Sequence, residues 1–369
     1  MVASHRAAAA VALAGALTAA SAAPALSEPR EQPRPELHAQ PLNRLSRIHA
    51  LETAQHPIKQ HHLSEVAGDL NRSTRSGCGA PKGGFCWNAG DTNTSKWVPQ
   101  GITHGDSGWL ASWHSGKNEP KQSRVTLVDN ARQKYRHVVL ADPGKGPHAD
   151  FEPVPAHAGG IAQVGHYLYV ADSGKGVRVF DLNHVWKADG GKSDGRYTLK
   201  NGKIHAAGYA WVLPQVGSYT AVREPSKACQ AGKNPFFSSV SLDRKSGRLV
   251  SGEFCRDGRG SLARWGLRPD GLLDTQGRSA RAAEWYSVPF TSMQGVATRG
   301  DAVAATTSNG SHPGVWRTTS LAGKHNGETL GNGKSRRMGP RSPEDVTFAG
   351  GHYWTLTEHQ GARYVFPSG

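Results

Sequence analysis

The stretch His157–Leu182, HAGGIAQVGHYLYVADSGKGVRVFDL, decides the fold. It contains three short apolar runs, Gly160–Gln163, Tyr167–Ala171 and Val177–Asp181, separated by glycine-bearing turns. Runs of this length, rich in β-branched and aromatic residues and closed by Gly or Asp-Ser-Gly turns, predict three consecutive antiparallel strands. That is most of one propeller blade.

The same grammar recurs along the chain. Each unit opens on a small or polar pair followed by a β-branched residue: Gln100-Gly101-Ile102, Gly159-Gly160-Ile161, Ser238-Ser239-Val240, Gln294-Gly295-Val296 and Glu344-Asp345-Val346. A second apolar run follows each, at Trp109–Trp113, Tyr167–Ala171, Arg248–Gly252, Ala302–Thr306 and His352–Thr357, and a third comes after another turn. Fourth, outer strands are expected at Arg136–Ala141, Tyr209–Leu213, Ala282–Val288 and Ser335–Met338. The chain stops before a fourth strand of the last unit, so Gly84–Trp87 is expected to supply it and close the ring. The expected fold is all-β, a five-bladed β-propeller closed by an N-terminal strand. The long gap Leu182–Phe236 reads as an insertion, with a sixth blade as the alternative.

The wording of the second unit, Tyr169-Val170-Ala171-Asp172 and Val179-Phe180-Asp181-Leu182, resembles the YVTN and NHL-type propeller repeats. The resemblance implies a fold and not an activity, because propellers host lyases, hydrolases, phosphatases, oxidoreductases and binding modules.

Composition places the chain outside the cell. His5 and Arg6 precede the small apolar run Ala7–Ala20 and AxA-like cleavage options near residues 20–25, so residues 1–25 read as a secretory signal peptide. No later window is long and apolar enough to span a membrane. Residues 26–76 read as a linker or pro-segment, with one short helix expected where Leu42, Leu45, Ile48 and Leu51 fall at helical spacing. The propeller domain is assigned to residues 77–369. Four cysteines allow three pairings, and 78–86 with 229–255 is the most economical; a four-cysteine metal site is disfavoured because no CxxC spacing occurs. The net charge of +15 draws a secreted protein toward polyanions such as extracellular polysaccharide or another cell-wall polymer. Specific nucleic-acid binding is not expected, since the aromatics fall at packing positions rather than among basic residues. A monomer is expected.

In a propeller the residues before the first strand and after the second of each blade converge on one mouth of the central channel. Those positions supply the candidate site. Glu344, His157 and Glu253 are the catalytic candidates, and Arg256, Asp172, Gln100, Gln294, Glu358 and Trp113 the substrate-binding ones. His104, His114 and His359 are the candidate ligands for a divalent metal, the one cofactor considered. Paired carboxyls suit glycoside hydrolysis, which needs one acid and one base. A histidine base with Arg256 neutralising a carboxylate suits β-elimination from a uronate, and fits the charge better. Five-bladed glycosidases place an aspartate on the first innermost strand where this chain has Gln100. The expected activity is therefore lyase or glycoside hydrolase action on an anionic carbohydrate. The alternatives are a non-enzymatic binding propeller and a metal-dependent phosphoester hydrolase.

Overall fold

A computed structural model describes Met1 and residues 34–144, 151–191, 194–222, 229, 237–256 and 259–368. The expected signal peptide lies, apart from Met1, outside the described residues.

Five antiparallel meanders of four strands follow one another. Blade one runs Trp97–Gly105, Gly108–Ser115, Ser123–Asp129 and Lys134–Asp142. Blade two is Ile161–Val164, Tyr167–Asp172, Gly176–Asp181 and the far half of Trp211–Ala221. Blade three is Phe237–Asp243, Arg248–Glu253, Ser261–Gly266 and Ser279–Ser287. Blade four is Met293–Arg299, Ala302–Thr307, Pro313–Ser320 and Lys334–Arg341. Blade five is Pro343–Ala349, His352–Thr357, Tyr364–Ser368 and, from the other end of the described chain, Phe85–Cys86. The first strand of each blade packs beside the first strand of the next, and that of blade five beside that of blade one. The ring is a closed β-propeller.

Crowding at the axis explains the small residues that opened each repeat. A Cβ at Gly101 would lie 2.3 Å from the Gly159 carbonyl oxygen, and one at Gly160 would lie 2.4 Å from the Val240 nitrogen. Five strands converging on one line leave no volume there, so glycine is required. Asp345 closes the centre: its Oδ2 accepts from the Ile102 nitrogen at 3.1 Å and the Ile161 nitrogen at 3.0 Å, tying blade five to blades one and two. Apolar side chains fill the wedges between neighbouring blades, as with Leu110, Val125, Ile161 and Val170 between blades one and two.

Two differences from the sequence reading concern the outside of the ring. Residues 34–76 are read from sequence as peripheral, but they belong to the fold. Glu36–Gln40 pairs with the outer strand of blade two on one side and that of blade three on the other. The helix Leu45–Glu52 buries Ile48 and Leu51, Gln60–His61 pairs with Val185–Trp186, and Arg72–Ser73 extends blade one. Each contact covers an edge that would otherwise expose unpaired backbone groups. The outer strand expected at Tyr209–Leu213 is instead Trp211–Ala221. It pairs in parallel with blade one up to Pro214 and then antiparallel with blade two, so it sutures the pair. The rest of the insertion holds Val185–Lys187 and the hairpin Tyr197–Lys200 with Lys203–Ala206, and no sixth meander occurs among the described residues. Cys78–Cys86 and Cys229–Cys255 are disulfide-bonded, the pairing expected. No helix among the described residues is long and apolar enough to cross a membrane.

Candidate functional site

The innermost strands share an irregularity. In blades one, three, four and five the register shifts at the start of the strand, between Pro99 and Ile102, Phe237 and Ser239, Met293 and Gly295, and Pro343 and Val346. A bulge leaves an extra residue unpaired and re-aims its side chain. Those residues include Gln100, Ser238, Gln294 and Glu344, and these four line one cavity. Ala158, Ser292 and Ser342, each just before an innermost strand, hold φ near +50°, a conformation that costs a residue with a Cβ about 1–2 kcal/mol. Backbone strain is thus repeated around this mouth of the channel, where it turns polar side chains inward.

The cavity is about 630 Å³ and is completed by His157, Ser173, Cys229, Phe254, Arg256 and Glu358. Glu344 is buried, and no donor among the described residues reaches its carboxyl group. Burial first, then the neighbouring Glu358 and Asp345, push it well above the usual carboxylate range. Glu358 follows the second strand of blade five and accepts from Gln100 Nε2 at 2.9 Å. Burial raises it too, while the Gln100 bond and the Arg363 guanidinium oppose the rise. His157 presents an exposed ring to the cavity, stacked at 4.3 Å on His114. Desolvation lowers His157. Burial and His157 push His114 down to about 4, against its Nδ1 bond to the Ser115 carbonyl. The cavity therefore sets a carboxyl group shifted toward its protonated form beside an imidazole shifted toward its neutral form.

A second cavity of about 530 Å³ adjoins it, sharing His157 and Ser173. His114, Asp172, Lys117, Lys121 and Lys175 line it. Asp172, expected in the main site, lies here with its carboxylate bonded to Arg178 at 2.8 Å.

Six of the sequence candidates meet at the main cavity: Glu344, His157, Arg256, Gln100, Gln294 and Glu358. Others do not. Glu253 is buried behind Cys229–Cys255, where its Oε2 accepts from the nitrogen and hydroxyl of Ser261 at 3.0 Å each. Trp113 is fully buried between blades one and five, packed on Trp87 at 5.0 Å with Arg124 over its ring at 4.9 Å. His104 lies toward the other end of its strand, against Trp109 in a cavity with Arg244 and Arg299. His359 is half-buried and accepts from Arg341 at 2.6 Å. His104, His114 and His359 thus stand apart and cannot share an ion. Phe254 and Ser173 were missed; each directly follows a strand-two end that the repeat had flagged, Glu253 and Asp172.

No family model and no curated protein sequence matches the chain. Solved structures with partial likeness include the GH43_1 enzyme of Xanthomonas citri complexed with xylose, 10% identical with a TM-score of 0.38, covering 89% of this chain and 93% of that one. The β-propeller domain of Cps50 (Swd1) from Myceliophteria thermophila is 10% identical with a TM-score of 0.36 over 73% and 83%. Glutaminyl cyclase of Myxococcus xanthus is 10% identical with a TM-score of 0.32 over 75% and 91%. These scores carry no functional argument, and the assignment as a β-propeller stands on this chain's own strand pairing.

Proposed function

We propose that this chain is an extracellular enzyme that cleaves an anionic, uronate-containing glycan by β-elimination in the main cavity. One observation carries the reading: Glu344 is a buried carboxyl group with no donor among the described residues, opening on the same cavity as the neutral His157. An acid protonated and a base deprotonated at the same pH are what elimination requires. His157 takes the proton from the carbon next to the uronate carboxylate. The electron pair forms the ring double bond and expels the glycosidic oxygen, which receives the Glu344 proton. Arg256 faces the substrate carboxylate, and Gln100, Gln294 and Glu358 offer the mixed donors and acceptors that sugar hydroxyls need. The second cavity supports a polymeric substrate, because Lys117, Lys121 and Lys175 extend the surface with positive charge.

The test is a panel of polyuronates and neutral glycans, read by the ultraviolet absorbance of the new double bond and by reducing ends. The expected result is an unsaturated product from a polyuronate, with kcat falling at least about 10²-fold in Glu344→Gln and in His157→Ala while both variants still bind. Saturable binding without product makes the cavity a binding site and overturns the reading. Reducing ends from a neutral glycan without double-bond absorbance replace elimination with hydrolysis.

A further inference from the structure

On the outside of the ring, far in sequence from the cavity residues, the N-terminal arm meets blade two through polar side chains. The helix Leu45–Glu52 turns Ile48 and Leu51 into the core, and places His49 and Glu52 three residues apart. Residues at that spacing share a helix face. The Glu52 carboxylate is only 7% exposed and accepts from Trp186 Nε1 at 2.9 Å. His184, in the turn after Gly176–Asp181, aims Nδ1 at both Glu52 oxygens, 3.1 Å from each. Its Nε2 lies 3.8 Å from Asp181 Oδ2. The His49 ring sits 5.4 Å from that of His184. One ligand atom from each of His49, Glu52 and His184 falls within 4.8 Å of the other two.

The Nδ1 atom of His184 faces the Glu52 carboxylate, so either a proton or a cation lies between them. Nε2 points toward Asp181 but at 3.8 Å is not hydrogen-bonded to it. In the second arrangement Nδ1, the Glu52 carboxylate and the neighbouring His49 ring share the cation. Bonds of about 2.0–2.2 Å at tetrahedral angles put ligand atoms about 3.3 Å apart, so the 3.1 Å His184–Glu52 spacing needs almost no movement. Exposed His49 closes the third position by a side-chain rotation. Two nitrogens and one oxygen suit zinc, copper or nickel rather than calcium or magnesium.

We propose that His49, Glu52 and His184 form a divalent transition-metal site that latches the N-terminal arm to the propeller, with Glu52 held by Trp186. The ion would bind the folded chain alone, because its ligands come from the arm and from blade two, which separate on unfolding. The latch would act next to Glu36–Gln40, the strand that joins blades two and three.

The test uses the full chain, stripped with a chelator and titrated with zinc chloride. Expected are one zinc per chain by elemental analysis after dialysis, a zinc-dependent rise in Tm, and slower proteolytic clipping of the arm. His49→Ala removes an exposed side chain, so it should melt like the stripped wild type. It should also bind zinc at least about 10-fold more weakly and lose the Tm shift. His352→Ala, at the exposed start of the second strand of blade five, should keep both. No retained zinc at micromolar free metal leaves His184 a plain imidazolium and overturns the site. Zinc bound equally by His49→Ala places the ion elsewhere and overturns it as well.

Discussion

Asp91 and Glu344 are equally buried, each 5% exposed, and their surroundings act on them in opposite directions. Around Asp91, Arg124 and Arg72 each donate at 3.2 Å, His137 Nε2 at 3.1 Å and the Tyr135 hydroxyl at 2.6 Å. Burial alone would raise Asp91, but His137, Arg124 and Tyr135 together hold it far below the usual carboxylate range. Glu344 has the same burial and none of those donors, so it goes the other way. Burial alone therefore does not decide which way a carboxyl group shifts. The donors do: Asp91 is knitted from the helix Ala89–Asn93 to blade one, whereas Glu344 lines the cavity and meets no donor among the described residues.

The largest effect should come from breaking the saturated member. Asp91→Ala leaves Arg124, 4% exposed, without its countercharge, and a buried pair broken on one side costs about 3–5 kcal/mol. Glu344→Gln, by contrast, should raise stability at neutral pH, because it removes the cost of keeping protonated in the folded chain a carboxyl group that ionises in the unfolded one. Urea unfolding of the two variants checks the contrast, and equal losses would erase it. A middle-sized effect is expected from Tyr135→Phe, which deletes one charge-assisted bond to Asp91 and the acceptor of the Asn88 nitrogen. A loss of about 2 kcal/mol in the same assay is expected, and a neutral result would show that the remaining donors suffice.

The cavity-lining member was legible in sequence and the fully paired one was not. Glu344, Gln100 and Gln294 stand at equivalent places in a repeat, and axial crowding writes that repeat as a small or polar pair before a β-branched residue. Asp91 lies in a non-repeating segment, and its partners come from 19 to 46 residues away in both directions. Glu253 and Trp113 show a different limit. They occupy the flagged strand-two region, but successive side chains of a strand point to opposite faces, and nothing in the repeat says which residue faces the channel. In the arm the helix was legible from its spacing, but the strand was not, for a third reason. Glu36–Gln40 alternates buried Leu37 and Ala39 with more exposed neighbours over only five residues, and its partners, Ser218–Ala221 and Ser279–Arg281, are about two hundred residues away.

The smallest effect, per unit of pH, is also the sharpest test of the comparison, because the two carboxyls should give slopes of opposite sign. Glu344 holds its proton to a higher pH in the folded chain than in the unfolded chain, where it ionises near its ordinary value of about 4.3. Above that pH the folded state binds the extra proton. Its contribution is full below about pH 4.3 and falls by about 1.4 kcal/mol per unit as pH rises toward the folded value. Asp91 is ionised in both states above its ordinary value of about 3.9, so it adds no slope there. Below it, the unfolded chain takes up a proton that the folded chain refuses, and stability falls as pH drops. Between pH 5 and 7 only the Glu344 member of this pair tilts the curve. Unfolding free energies from urea titrations across that range should therefore decline less steeply in Glu344→Gln than in the parent, by up to about 1.4 kcal/mol per unit below the folded value. Parallel curves would mean that Glu344 is ionised in the folded protein, and with that the contrast between the two carboxyls, and the acid assigned to the cavity, would both fall.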